Sequence, residues 1–252
     1  MKTASLVTIC IVAGFLGASP TVHAQDKAPK WTVGALGMGY YSPFAAERKD
    51  AKVVPYISYR GERFYVQGLE MGYRFIKPSD SDLQLQFDVI ASGRALAGSS
   101  RSKITADAGL RMGVAGGFGF LNVSGVRDIT DNSNGYEAKA TFGHSFEGAR
   151  FSFTPSVSVV WQDEKMADYM WGVTQKQQDK MVKDNKPVLP LYTMTESVIN
   201  YSANMVFTYR MTDSISLIAF ADATKLDKKV QANPGISVDY EATLGLGVGY
   251  SF

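Results

Sequence analysis

Near neutral pH the side chain best suited to general acid-base chemistry is histidine, and this sequence of 252 residues has only two, His23 and His144. His23 falls in an N-terminal stretch that reads as a cleaved leader, so His144 is the single imidazole expected in the mature chain. It shares parity with Phe142 and Phe146, and that alternation predicts an outward, apolar-facing position rather than one within reach of a serine and a carboxylate, as a catalytic triad requires. The run Gly113-Val114-Ala115-Gly116-Gly117-Phe118-Gly119 is glycine-rich like a phosphate-cradling loop. Such a loop needs a helix start to supply its amides, and Phe120-Leu121-Asn122-Val123 continues as a strand, so a tight turn is expected. No metal-ligand spacing or nucleophile elbow occurs. The only cysteine, Cys10, lies in the leader, where Ile9 stands at a position a lipoprotein signal fills with a small residue. These features predict a protein that is not an enzyme and carries no metal or cofactor.

Charge offers the second chemistry. In segments that alternate polar with apolar residues, Arg60, Arg74, Arg111, Lys139, Arg150 and Arg210 fall on the polar side, as do Glu70, Asp88, Asp107, Glu137, Asp222 and Glu241. If that side lines a lumen, charges of both signs neutralise one another. Strongly selective pores use one sign, so a packed, ion-paired interior is expected, with a weakly selective solute channel as the other outcome.

The elements that must position these charges are strands. From Tyr240 to the C-terminus, Tyr240, Leu244, Leu246, Val248, Tyr250 and Phe252 lie on one face, and Glu241, Thr243, Gly245, Gly247 and Gly249 on the other. Side chains alternate across a strand, and an apolar face ending in a terminal aromatic fits a lipid-facing barrel strand, one the barrel-assembly machinery would read as its signal. The face carrying Gly247 reads as empty, so Gly247→Ser is expected to be mild and Leu246→Arg costly. At the other end, Lys2, the apolar run Leu6 to Ala18 and Val22-His23-Ala24 form the layout of a secretory signal peptide over residues 1–24, leaving 25–252 as one outer-membrane barrel domain.

After the leader no apolar run approaches the roughly 20 residues of a transmembrane helix. Aromatic residues (12%) and 24 glycines recur in period-2 segments instead. These fall at 31–41, 52–60, 63–76, 83–91, 104–114, 117–128, 136–146, 150–162, 199–210, 215–224 and 240–252. Single-chain bacterial barrels have an even number of strands, and Gly68 divides 63–76 most naturally. The prediction is an all-β transmembrane antiparallel up-and-down β-barrel of about 12 strands, with 10 as the fallback. Long segments 92–103, 163–195 and 225–238 fall outside, and short turns at 115–117, 147–149 and 212–213 inside, as such barrels require. Within 163–195, residues 174–184 suit a helix on which Lys176, Lys180 and Lys183 share a face. A solvated outer loop is expected there, or a surface for lipopolysaccharide phosphates or a host ligand. Without the leader the chain is almost neutral, which excludes a nucleic-acid footprint.

Val53-Val54-Pro55-Tyr56-Ile57-Ser58-Tyr59, followed by Arg63 to Tyr73, resembles the MipA/OmpV family of MltA-interacting outer-membrane proteins. Asp131-Asn132-Ser133-Asn134-Gly135 is similar to that family's mid-chain loop, Asp168 to Val173 to its tyrosine-rich motif, and Gly245 to Phe252 to its closing strand. Met170 and Trp171 depart from the tyrosine-rich pattern. The resemblance implies a bacterial outer-membrane protein in contact with lipid and lipopolysaccharide, acting as a scaffold that links a lytic murein transglycosylase to a murein synthase. A narrow channel and a surface adhesin are the alternative expectations.

Overall fold

The computed structural model of the chain describes residues 29–47, 49–77, 81–95 and 104–252. The expected leader over residues 1–24 lies outside these residues. The period-2 segments form strands in chain order: β1 (Trp31–Tyr41), β2 (Lys49–Arg60), β3 (Phe64–Gln67), β4 (Glu70–Arg74), β5 (Gln84–Ala95), β6 (Ile104–Gly116) and β7 (Gly119–Asp128). They continue as β8 (Tyr136–Gly143), β9 (Phe146–Glu147), β10 (Phe151–Gln162), β11 (Val198–Arg210), β12 (Ile215–Lys225) and β13 (Tyr240–Ser251). Each pairs antiparallel with its neighbours, and β13 returns to β1 from Thr32↔Ser251 to Tyr41↔Ala242, which closes the sheet. Closure pairs the strands' backbone groups within the wall, as a hydrocarbon layer demands, except along the part of β2 before Ser58 that lies beyond the short β3–β4 hairpin.

Two irregularities follow from single residues. Segments β8 and β9 both pair with β10 in one continuous register, Ser156↔Gly143 and Phe153↔Phe146, so they form one stave and the barrel has 12. The ladder lapses between them because Pro155 stands opposite His144. The His144 amide donates to the Pro155 carbonyl (3.2 Å), but proline has no N–H to return the bond. The second irregularity is the segment 63–76, which divides at Gly68 as expected. Gly68 has φ +57°, a left-handed conformation suited to glycine, and it turns the chain after only four residues of β3. The β3–β4 hairpin is therefore short, and β2 pairs with β3 only over Ser58–Arg60. Because the Ile57 carbonyl accepts from the Gly68 amide, Pro55, two residues away, directs its missing donor toward the side where none of the described strands pairs with it. Proline in a sheet belongs at such an edge.

Side chains alternate as the sequence requires. Val53, Leu85, Leu110, Met112, Val123, Val157, Leu244 and Leu246 are exposed on the outer surface. Near the end with the short turns, aromatic pairs Trp31–Tyr59, Phe75–Phe87, Phe151–Phe207 and Tyr250–Phe252 lie at 4.6 to 6.3 Å between centroids. They form one interfacial girdle, and Tyr41 stacked on Tyr240 at 5.5 Å contributes to the other. The glycine-rich 113–119 stretch is a hairpin turn, with Gly116 opposite Gly119 and Gly119 at φ +106°.

The segment 163–195 is not a solvated loop. It folds into α1 (Glu164–Trp171) and α2 (Gln175–Lys183) and packs with α3 (Lys228–Gln231) and with Phe44 from the first outer connection. Asp163 caps α1 by accepting from the Met166 amide, and Thr174 with Gln177 forms a capping box on α2. Phe44, Met166, Met181, Leu189, Val198 and Val230 are almost fully buried together, a small core outside the barrel wall. The sequence hid this core because its apolar residues come from three connections and show no common period. Lys176, Lys180 and Lys183 are exposed on α2, while Met181 is its buried contact. In the same outer region, the hydrogen bond from Lys229 to Glu196 holds the ammonium pKa above the usual lysine value, and the bond from Lys225 holds the Asp239 carboxyl below the usual carboxylate range.

Candidate functional site in the lumen

Inward parity brings charged side chains from β4 to β8 into two linked clusters. In the first, Arg111 on β6 makes a two-point ion pair with Glu70 on β4, Nη1 to Oε1 at 2.8 Å and Nη2 to Oε2 at 2.6 Å. Two parallel charge-assisted bonds fix a guanidinium more firmly than one. Arg111 Nη1 also reaches the Tyr65 hydroxyl (3.3 Å), which donates to Asp88 (3.0 Å). All four side chains are buried. Gly72 leaves space for the Tyr65 ring, since a Cβ there would lie 2.4 Å from it.

The second cluster centres on Arg94. Its Nε donates to Asp107 (2.8 Å) and its Nη1 to Glu137 (2.7 Å), so one cation bridges β6 and β8 from β5. Glu137 also accepts from Gln162 Nε2 (2.8 Å), and Gln162 Oε1 accepts from the Trp171 indole N–H (3.1 Å). Trp171 is the last residue of α1, so this chain of bonds ties the cap to the wall. The Trp171 carbonyl in turn accepts from Asn233 of the α3 connection (2.7 Å).

Between the clusters and the cap lies a cavity of about 180 Å³, lined by wall residues that include Arg94, Asp107, Arg111, Lys139, Asn200 and Asp222, with Met170 and Trp171 above them. The opposite interior wall is apolar: Leu36 and Met38 on β1 pack with Tyr56 on β2 and Ile218 on β12. Gly245 and Gly247 make that packing possible, because a Cβ at either would collide with Phe220 or Leu36. The face of β13 that reads as empty in the sequence is thus filled by its neighbours, and the expected mildness of Gly247→Ser is corrected. A Cβ at Gly247 would lie 2.1 Å from the Ala35 carbonyl oxygen.

Of the expected lumen charges, Glu70, Asp88, Asp107, Arg111 and Asp222 are buried inside, and Glu137, Lys139 and Glu241 line the cavity. Arg74 lies over the Tyr65 ring at 4.6 Å and donates to the Gly61 carbonyl (3.2 Å) near the short-turn end. Arg60, Arg150 and Arg210 are exposed at the rim of that end instead, because each stands at a strand terminus; Arg210 donates to the Ala149 carbonyl (3.0 Å). Arg94 was missed, since the expected strand stopped at residue 91. The polar inward series Asp88, Ser92, Arg94 continues the alternation and marks the longer β5. Trp171 and Gln162 carried no sequence signal for their roles. His144 packs on Phe146 at 4.7 Å, and among the described residues no carboxylate or hydroxyl is hydrogen-bonded to its imidazole. The described residues also contain no group of three His, Cys, Asp or Glu placed to hold a metal ion.

A closed 12-stave antiparallel barrel with a lipid-compatible exterior, aromatic girdles and a polar, ion-paired interior defines a bacterial outer-membrane β-barrel protein. The sequence model described as "MltA-interacting protein MipA" matches residues 33–252, and the chain belongs to that family. It is similar to YiaT of Escherichia coli (strain K12), at 24% identity over 237 residues, covering 91% of this chain and 94% of that one. It is likewise similar to the MltA-interacting protein of the same organism, at 25% identity over 239 residues, covering 91% and 92%. Among solved structures the NanC porin matches with a TM-score of 0.51 at 12% identity, covering 86% of this chain and all of that one, a likeness of fold.

Proposed function

We propose that this outer-membrane barrel is a narrow, weakly selective solute channel held at low conductance by the cap over its outer end. The observation that carries the reading is the cavity itself, polar, lined by charges of both signs and roofed by Met170 and Trp171. Charges of both signs offset most of one another and leave two negative charges in excess, so ion selectivity is weak and favours cations. Shared architecture with a barrel described as a porin is consistent with this at the level of fold. The same reading takes residues 1–24 as the export leader. The test is conductance in planar bilayers. The wild type is expected to give small steps, and Trp171→Ala, which removes part of the roof and the anchor to Gln162, larger ones. Absence of steps in both would refute the channel.

A second reading is favoured by one observation, the description of the family through its interaction with MltA. In that reading the barrel is a scaffold for a murein transglycosylase and a murein synthase. Contact would fall on the short-turn end, where Arg60, Arg150 and Arg210 are exposed. In-cell crosslinking from cysteines placed at Gly117, Ala149 and Asp213 would recover a murein enzyme if it holds; recovery of lipopolysaccharide and porins alone would count against it.

A further inference from the structure

We propose that the cavity under the cap binds a small alkyl diammonium ion. The inference rests on the channel reading, because the cavity lies on the proposed path, and it adds the class of ligand. Charge is the first argument. Arg111 is matched by Glu70, but the single cation Arg94 faces both Asp107 and Glu137. Lys139 lies within electrostatic reach of Asp222, and Glu241 lines the same cavity. Five carboxylates against three cations leave the lining two negative charges in excess. A carboxylate or phosphate ligand would be repelled, and a dication would balance the site.

Hydrogen bonding is the second, independent argument. Asp222 is 7% exposed and its Oδ2 accepts no hydrogen bond from the protein; Asp107 is 1% exposed and its Oδ1 is likewise unpartnered. Both side chains line the cavity. A buried carboxylate oxygen without a donor is costly, and an ammonium group supplies donors and charge together. Beside Asp222, the Ser202 hydroxyl lines the cavity as a further acceptor, while the Thr224 hydroxyl donates to Asp222 Oδ1 (3.4 Å) and Asn200 Oδ1 accepts from the Asp227 amide (2.9 Å).

Spacing decides the kind of cation. The carboxylates come from β4, β6, β8, β12 and β13, and no three of them gather around one point. A metal ion needs converging ligands, whereas an extended chain with an ammonium at each end meets separated ones. The apolar stretch between those ends suits Met170 and Val160, which line the same space.

The probe is putrescine, titrated calorimetrically into the full-length barrel folded in detergent micelles, with succinate, butylamine and magnesium as comparisons. Binding of putrescine, weaker butylamine and no response to succinate or magnesium is expected. Asp222→Asn should weaken putrescine about tenfold or more, the loss of one charge-assisted bond. Glu241→Gln should do the same, and both variants should keep the wild-type shift between heated and unheated gel samples. No binding at millimolar putrescine, wild-type affinity in both variants, or preference for magnesium would overturn the proposal. Because binding is read in micelles, its failure is distinct from an absence of conductance. A barrel that conducts without binding putrescine keeps the channel and loses the ligand.

Discussion

Substituting Gly247 with alanine tests whether the inner face of β13 is empty or filled. The added Cβ would sit 2.1 Å from the Ala35 carbonyl oxygen, 2.5 Å from Leu36 Cδ2 and 2.9 Å from Leu36 Cα. Two of these are backbone atoms in the strand that closes the barrel, so relief requires a shift of the β1–β13 seam. Overpacking of this kind costs about 1–3 kcal/mol. Against it stands the gain of about 0.4–1 kcal/mol from stiffening the unfolded chain. The net expectation is a loss of about 1–2 kcal/mol. Gly39 is the control: it lies on the outer face of β1, a Cβ there meets nothing within 4 Å, and Gly39→Ala should keep the unfolded-state gain. Urea titration of both variants refolded in lipid vesicles, followed by tryptophan fluorescence, should separate them by about 2 kcal/mol, roughly a thirtyfold difference in the folding equilibrium. Equal stability of the two variants would refute the packing described for the seam.

Three further outcomes are expected. Leu246→Arg places a cation on the lipid face of β13, where Leu246 is 58% exposed, and should cost about 2–4 kcal/mol if it lies near the midplane, measured by the same titration. Arg94→Met leaves Asp107 and Glu137 without their shared cation and should cost about 3–5 kcal/mol, as removal of one partner of a buried pair does; adding Glu137→Gln to that variant should recover part of the loss. Phe44→Ala removes the largest fully buried side chain of the cap core and should destabilise the cap by about 3–5 kcal/mol. Limited proteolysis should then cut within 163–195 faster while the barrel band in unheated gels is unchanged.

Much of the wall was legible from residue order alone. Period-2 alternation in 240–252 and 104–114 defines which residues meet lipid, because a strand gives each side chain one of two faces. The division of 63–76 at Gly68 was legible too, and the structure gives its reason, a positive φ that glycine tolerates and other residues resist. Local pattern also set the inward parity of Asp88, Asp107, Arg111 and Glu137. It did not set their partners. Arg94 joins Glu137 across 43 positions of sequence, and Arg111 joins Glu70 across 41, distances that only the strand order and register of the barrel bring together. Register also decided that Gly247 faces the Ala35 carbonyl, and that Pro155 interrupts the stave holding His144. The cap was the least legible part, because Phe44, Met166, Met181 and Val230 have no shared period and become a core only when three separate connections meet over the barrel's outer end. Sequence fixes which face a side chain occupies through local geometry, whereas what it touches there depends on chain closure over long separations, and that is a property of the tertiary structure.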